Sequence, residues 1–364
     1  MKESDFRVSF REPELAGLLA GELSGFSPDR QIQLMHVCGT HEHSISRAGI
    51  RSFLDSNVNL VAGPGCPVCV CPAGDIDLAM RAVEREEVIL TTFGDMFRVP
   101  SSDTSLEKMK ASGADIRVIY SPFDSVRIAR ENPDREVVFM AVGFETTAGP
   151  IAAACSADPP DNYSVLPSIR LIPPALKFLL ERSKGSIDGF ILPGHVSTVL
   201  GRKGYLFLED YGIPSVIAGF EPVDILIALV DLVKQIMGDQ PGEIKNLYGR
   251  AVREEGNRKA REVIRKVFEE KDSSWRGIGV IPDSGLHFRE DYRRLDAAMR
   301  FGLEYNDEAV DILPGCICHR VILGEKEPEE CPLFGQKCTP ALPFGPCMVS
   351  SEGTCRARYI YSGR

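Results

Sequence analysis

The stretch "IQLMHVCGTHEH", residues 32–43, runs an apolar, strand-forming sextet into a polar turn that carries glycine and cysteine. Continuous apolar runs bounded by turns read as strands buried on both faces, the form taken in parallel sheets with helical crossovers. The pattern returns at "VNLVAG" (58–63), "VILTTF" (88–93) and "IRVIY" (116–120). A second group follows at "VVFMAV" (137–142), "SIRLI" (168–172), "GFILP" (189–193) and "SVIAG" (215–219), with helix-like spacers between. Repeated strand–turn–helix units predict an α/β fold. Two groups of four suggest two small parallel-sheet α/β domains facing a cleft, residues 1–120 and 121–222, divided near "YSPFDS" (120–125). "DPPDNYSVLP" (158–167), rich in turn residues, reads as a surface loop.

Beyond residue 222 the pattern changes. "PVDILIALVDLVKQIMG" (222–238) has helical periodicity, with Pro222 near its start and Gly238 past its end. "NRKAREVIRKVFEEKD" (257–272) and "DYRRLDAAMRFGL" (291–303) also read as helical. From Gly315 the chain is rich in cysteine, proline and glycine with little periodicity, so residues 223–364 read as a helical and cysteine-rich unit whose last part needs something besides apolar burial to hold it, which a metal centre would supply.

Composition narrows the function. A net charge of −10 argues against phosphate-backbone binding, hence against a nucleic-acid partner. The locally basic "GRKG" (201–204) and "NRKAREVIRK" (257–266) read as solvated faces. "MKESDFRVSF" has no apolar core of a secretory signal, and "ILIALV" (225–230) falls short of the roughly 18 residues that cross a bilayer. A cytoplasmic protein without a membrane partner is expected. In that reducing compartment 11 cysteines read as metal ligands or redox thiols, not as a disulfide framework.

The densest group is C-terminal: Cys316 and Cys318 in "GCICH", then Cys331, Cys338, Cys347 and Cys355. Four thiolates hold a zinc ion or an iron–sulfur cluster. The paired C-x₂-C knuckles of zinc ribbons are missing, and the spacing C-x₆-C-x₈-C-x₇-C suits a larger cubane. After the first strand, "VCGTHEH" places Cys38, Thr40, His41 and Glu42 at a strand's carboxyl end, where α/β proteins gather functional groups. The metalloprotease motif H-E-x-x-H fails because Ile45 stands where its second histidine belongs. His41 is expected to lower the Cys38 pKa. After the second strand, "GPGCPVCVCP" (63–72) gives Cys66 and Cys69 the C-x-x-C spacing of thiol–disulfide exchange, and Cys71 leaves open which two would pair. Asp95, Glu145, His195 and Glu221 recur at other strand ends, while Cys155 reads as a packed apolar side chain. Neither G-x-G-x-x-G nor a P-loop occurs, which excludes those nucleotide sites.

Together, "CGTHE", "GPGCPVCV", "FGDM", "GFETTA", "PGHVS", "GFEP" and "CPLFG…C…GPCMVSSEG.C" resemble the HypD family of [NiFe]-hydrogenase maturation factors, in order and over most of the chain. The resemblance implies two α/β domains around a cleft plus a [4Fe-4S] domain, and a role in building the Fe(CN)₂CO group of the hydrogenase. It implies a HypC-type chaperone partner sharing the iron, and a HypE-type partner carrying cyanide as a thiocyanate. Carried over by motif, Cys38 would be the iron-binding thiolate and Cys66 and Cys69 the redox pair. Cys331, Cys338, Cys347 and Cys355 would ligate the cluster, with Cys316 and Cys318 as rivals, and His41 and Glu42 would orient or protonate groups at the iron. Many family members are expected to carry Thr after "CPVCV", where this chain has Cys71. Two other classes remain open: an iron–sulfur disulfide reductase, which gives "CGTHE" no purpose, and a zinc-stabilised interaction module.

Overall fold

A computed structural model describes residues 13–101, 104–183, 185–238, 242–306 and 309–361. The opening decapeptide read for a secretion signal lies outside them. The strands are β1 (Ile32–His36), β2 (Val58–Ala62), β3 (Val88–Phe93), β4 (Ile116–Ile119), β5 (Glu136–Gly143) and β6 (Tyr163–Ile169). They continue with β7 (Gly189–Pro193), β8 (Ser215–Ala218), β9 (Ile244–Asn246), β10 (Phe268–Trp275) and β11 (Gly279–Phe288).

Two parallel sheets result, ordered β2-β1-β7-β8-β9 and β4-β3-β5-β6, with β10 and β11 as an antiparallel ribbon. The fold is α/β, as the buried apolar runs required. The strands do not, however, sort into sheets by chain order as expected. The chain leaves the first sheet after β2, builds the whole of the second, and returns at β7, which pairs with β1. Apolar runs report burial on both faces, whereas the choice of neighbour is a non-local packing decision, so a cut near residue 120 separates β3 and β4 from their sheet.

Three further readings are corrected. Residues 163–167 are strand, not loop, because Tyr163 and Val165 are fully buried and Pro167 is accommodated on an edge strand, where its missing N–H costs no ladder bond. The helix expected over 257–272 ends at Val267, and Phe268 begins β10, whose buried Phe268, Ser273 and Trp275 alternate with exposed charge only in part. The 291–303 segment is a 3₁₀ turn (Glu290–Leu295) followed by a short helix capped by Asp296 (Ala297–Phe301). The Pro222–Met237 helix matches its reading and packs on β7 and β8. Arg202 and Lys203 of the basic "GRKG" pair with Glu254, Glu209 and Glu255 at the surface.

The cysteine-rich tail buries more than its sequence suggested. Val321, Ile322, Phe334, Met348 and Val349 join the core, carried by short helices Cys318–Ile322, Pro346–Val349 and Thr354–Tyr361. The last two pack against helices Pro67–Val70 and Gly39–Arg47 respectively, so the tail closes over the carboxyl ends of β1 and β2. Among the described residues no helix is long and apolar enough to cross a membrane.

Candidate functional site

In a parallel sheet the turns after neighbouring strands meet at one end. β1 and β2 are neighbours, so the turn bearing Cys38 lies beside the turn bearing Cys66. The backbones touch. Gly39 N–H donates to the Gly65 carbonyl at 3.1 Å, and a Cβ on Gly65 would stand 2.3 Å from the Cys38 nitrogen. Glycine is required there by the close approach.

Cys38 caps the Gly39–Arg47 helix and is 7% exposed. Burial, with the Glu352 carboxylate nearby, pushes its thiol up to about 11, against the pull of the His41 and Thr40 backbone N–H groups. Cys38 is therefore a protonated thiol at neutral pH, and a metal binding there displaces a proton. The His41 ring does not lower the Cys38 pKa as expected. Its ring is buried, its Nε2 lies 2.9 Å from the Gly219 carbonyl, and burial together with His36 holds its pKa down to about 3. Its Nδ1 has no hydrogen-bond partner. Its help to Cys38 comes through the backbone.

Glu42 points its carboxylate into a buried cage. Oε1 accepts from Ser46 Oγ at 2.5 Å and Arg51 Nη1 at 3.0 Å, and Oε2 from Arg51 Nη2 and His36 Nε2, each at 2.7 Å. Burial disfavours the charge, yet Arg51 and His36 overcome it and hold the carboxyl well below its usual range. Glu42 fastens its helix to β1, from which His36 comes, and to the Ile50–Phe53 turn, from which Arg51 comes. No sequence signal marked Arg51.

Cys66 caps the Pro67–Val70 helix and is joined to Cys69 by a disulfide, with Cα atoms 5.3 Å apart. Cys71 remains a free thiol 3.3 Å from Ser168 Oγ. Burial, then Asp75, pushes it up to about 12. All three cysteines are buried.

The tail reaches this place through its "SSEG" turn. Thr40 Oγ1 donates to Glu352 at 3.1 Å, and Ser350 and Ser351 donate to Asp95 after β3. Asp95 is thus a docking residue. The C-terminal thiols stand close together behind the turn. A Cβ on Gly345 would meet the Cys316 and Cys318 sulfurs at 3.1 and 3.4 Å, and Cys318 draws the Cys316 thiol down while its own pKa rises. The Cys355 N–H lies 3.2 Å from Cys347 Sγ, and Cys355 feels the charges of Cys347, Cys318 and Cys316. Cys338, bonded by the Phe344 N–H, feels Cys316 and Cys331. The rivals Cys316 and Cys318 therefore lie within the same group. Among the described residues no three His, Cys, Asp or Glu side chains stand in ligating geometry. The donor set nonetheless suits a soft thiolate-bound centre.

The other strand-end residues serve varied purposes. Glu145 accepts from the Ile172 N–H with one oxygen, the other has no partner, and burial raises its pKa to about 7. His195 stacks on Phe220 at 4.0 Å, Glu221 caps the Pro222–Met237 helix, and Cys155 is packed in the second sheet's core.

Residues 15–362 match the family model HypD, described as "Hydrogenase formation hypA family". The chain is 46% identical to hydrogenase maturation factor HypD2 of Bradyrhizobium diazoefficiens, over 99% of this chain and 97% of that one. It is 44% identical to hydrogenase maturation factor HypD of Azotobacter vinelandii, over 98% and 96%. A putative hydrogenase expression/formation protein of Methanocaldococcus jannaschii is 44% identical, over 91% and 92%.

Proposed function

The chain belongs to the HypD family of hydrogenase maturation factors, and from that premise we propose that it is the scaffold on which the Fe(CN)₂CO group is assembled. The iron is cargo, held by Cys38 together with a thiolate of a HypC-type chaperone. Cyanide arrives as a thiocyanate on a HypE-type partner, in the cytoplasm. The observation that carries the reading is the meeting of three cysteine-bearing segments: the Gly65 backbone pressed on Cys38, and the Cys347 helix packed on the Cys66–Cys69 helix.

The chemistry closes on these residues. Splitting a thiocyanate into thiolate and cyanide takes two electrons. Oxidation of the Cys66 and Cys69 thiols to their disulfide supplies both and releases two protons. Cyanide then meets iron on the neighbouring turn. Cys38, a buried protonated thiol, ligates as its proton leaves. Glu42 fixes the helix that presents Cys38, and His41 anchors that helix to the Gly219 carbonyl. Cys331, Cys338, Cys347 and Cys355, with Cys316 and Cys318 beside them, would hold a [4Fe-4S] cluster, which when bound supplies single electrons for returning the disulfide to the dithiol.

The test is infrared spectroscopy of the anaerobically purified complex with the HypC-type partner. Wild type should show cyanide and carbonyl stretches. Cys38→Ala should lose them while keeping its fold and its iron–sulfide content, and Cys38→Ser should fail too, since a hydroxyl is a poor ligand for such an iron. Bands retained in Cys38→Ala would place the iron elsewhere.

A further inference from the structure

Arg276 is a buried cation without an anion. It is 2% exposed, and among the described residues no carboxylate pairs with it. Its Nε donates to the Cys71 carbonyl at 2.7 Å and its backbone N–H to the Val70 carbonyl at 2.9 Å, while Nη2 has no hydrogen-bond partner. The carboxylates nearest these turns are already engaged. Asp75 binds Arg170 and Ser168, and Asp311 accepts from the Ala73 and Gly277 backbones. A guanidinium stays charged in a protein, and an unpaired charge in the interior is strongly disfavoured. On its other side, a Cβ on the next residue, Gly277, would stand 2.7 Å from the Cβ of His319, which directly follows Cys318. It therefore lies between the redox turn and the C-terminal thiols.

We propose that Arg276 is the counter-cation of the C-terminal thiolate centre, a positioning residue that eases reduction of that centre and ties it to the backbone of the Cys66–Cys71 turn. The proposal rests on the C-terminal cysteines holding an iron–sulfur centre, as argued above. Reduction adds negative charge, which a fixed neighbouring cation favours, most effectively where water is excluded. Without a carboxylate to neutralise it, the guanidinium acts on the centre at full charge.

The experiment is an EPR-monitored redox titration of the full-length protein, reconstituted anaerobically with iron and sulfide. Arg276→Gln should bind the centre but disfavour its reduction about tenfold, a fall of ~59 mV for one electron. Arg276→Lys, which keeps the charge, should recover most of the shift, and a purely structural role would not separate Lys from Gln in potential. Should Arg276→Gln fail to fold, Arg276→Lys and Arg276→Met are compared instead, with the same ordering expected. Equal potentials across charged and neutral variants overturn the role of Arg276 alone. A wild-type protein that takes up no centre overturns the reading of the cysteines, and this inference with it.

Discussion

Glu42→Gln separates a holding role from a chemical one at the turn after β1. The substitution keeps the shape and removes the charge. Each carboxylate oxygen faces two donors, Oε1 toward Ser46 and Arg51, Oε2 toward Arg51 and His36. Whichever oxygen becomes the amide nitrogen, its N–H groups oppose two donors, and Arg51 loses its ion pair. Removing one partner of a buried pair costs ~3–5 kcal/mol. For a chain of this length that lowers the melting temperature by about 4–7 °C. The pH dependence carries a sign. The folded pKa of Glu42 is depressed, so its contribution is complete above the unfolded value of ~4.3 and fades as pH falls toward the folded one. Thermal unfolding of wild type and Glu42→Gln should therefore differ by a constant amount from pH 8 to about 5 and converge only in more acid solution. A Glu42→Gln protein within ~1 kcal/mol of wild type at pH 7 would refute the caging argument. Normal stability with lost cyanide bands would instead make Glu42 a proton carrier at the iron.

Gly65→Ala should abolish the cyanide and carbonyl bands although Cys38 is present, because the added Cβ collides with the Cys38 backbone and no rotamer change relieves it; unchanged bands would mean the two turns need not touch. Asp95→Ala should loosen the "SSEG" turn by removing charge-assisted bonds worth ~1.5–3 kcal/mol each, seen as faster proteolysis near residues 350–353. An unchanged cleavage rate would dismiss the docking role. Cys338→Ala and Cys347→Ala should each lower bound iron and sulfide, and full occupancy in both would remove them from the ligand set. Thiol labelling after graded oxidation should find Cys66 paired with Cys69 and Cys71 free; a Cys71 pairing would reassign the redox couple.

Much of the fold was written locally. Strands buried on both faces leave continuous apolar runs, and β1, β2, β3, β5, β7 and β8 sit where those runs predict. Local signals failed where they conflicted: Pro167 and its polar neighbours disguised an edge strand, and the charged "FEEKD" disguised β10 as an extension of a helix. The cysteine-bearing turns were also legible, because glycine, proline and thiols at strand ends are unusual in any chain.

The sequence by itself determined the α/β class, the reactive turns and the density of thiols near the C-terminus. It could not say that β1 lies between β2 and β7, and everything about the meeting of the turns follows from that order. Tertiary structure alone decided that Gly65 rests on Cys38, that His41 is buried and uncharged, that Glu42 is caged by Arg51, and that Arg276 is joined to the Cys71 carbonyl. The physical reason is range. Periodicity and turn chemistry act over a few residues, whereas burial and charge compensation at this site join segments more than 200 residues apart, such as Cys71 and Arg276 with a separation of 205.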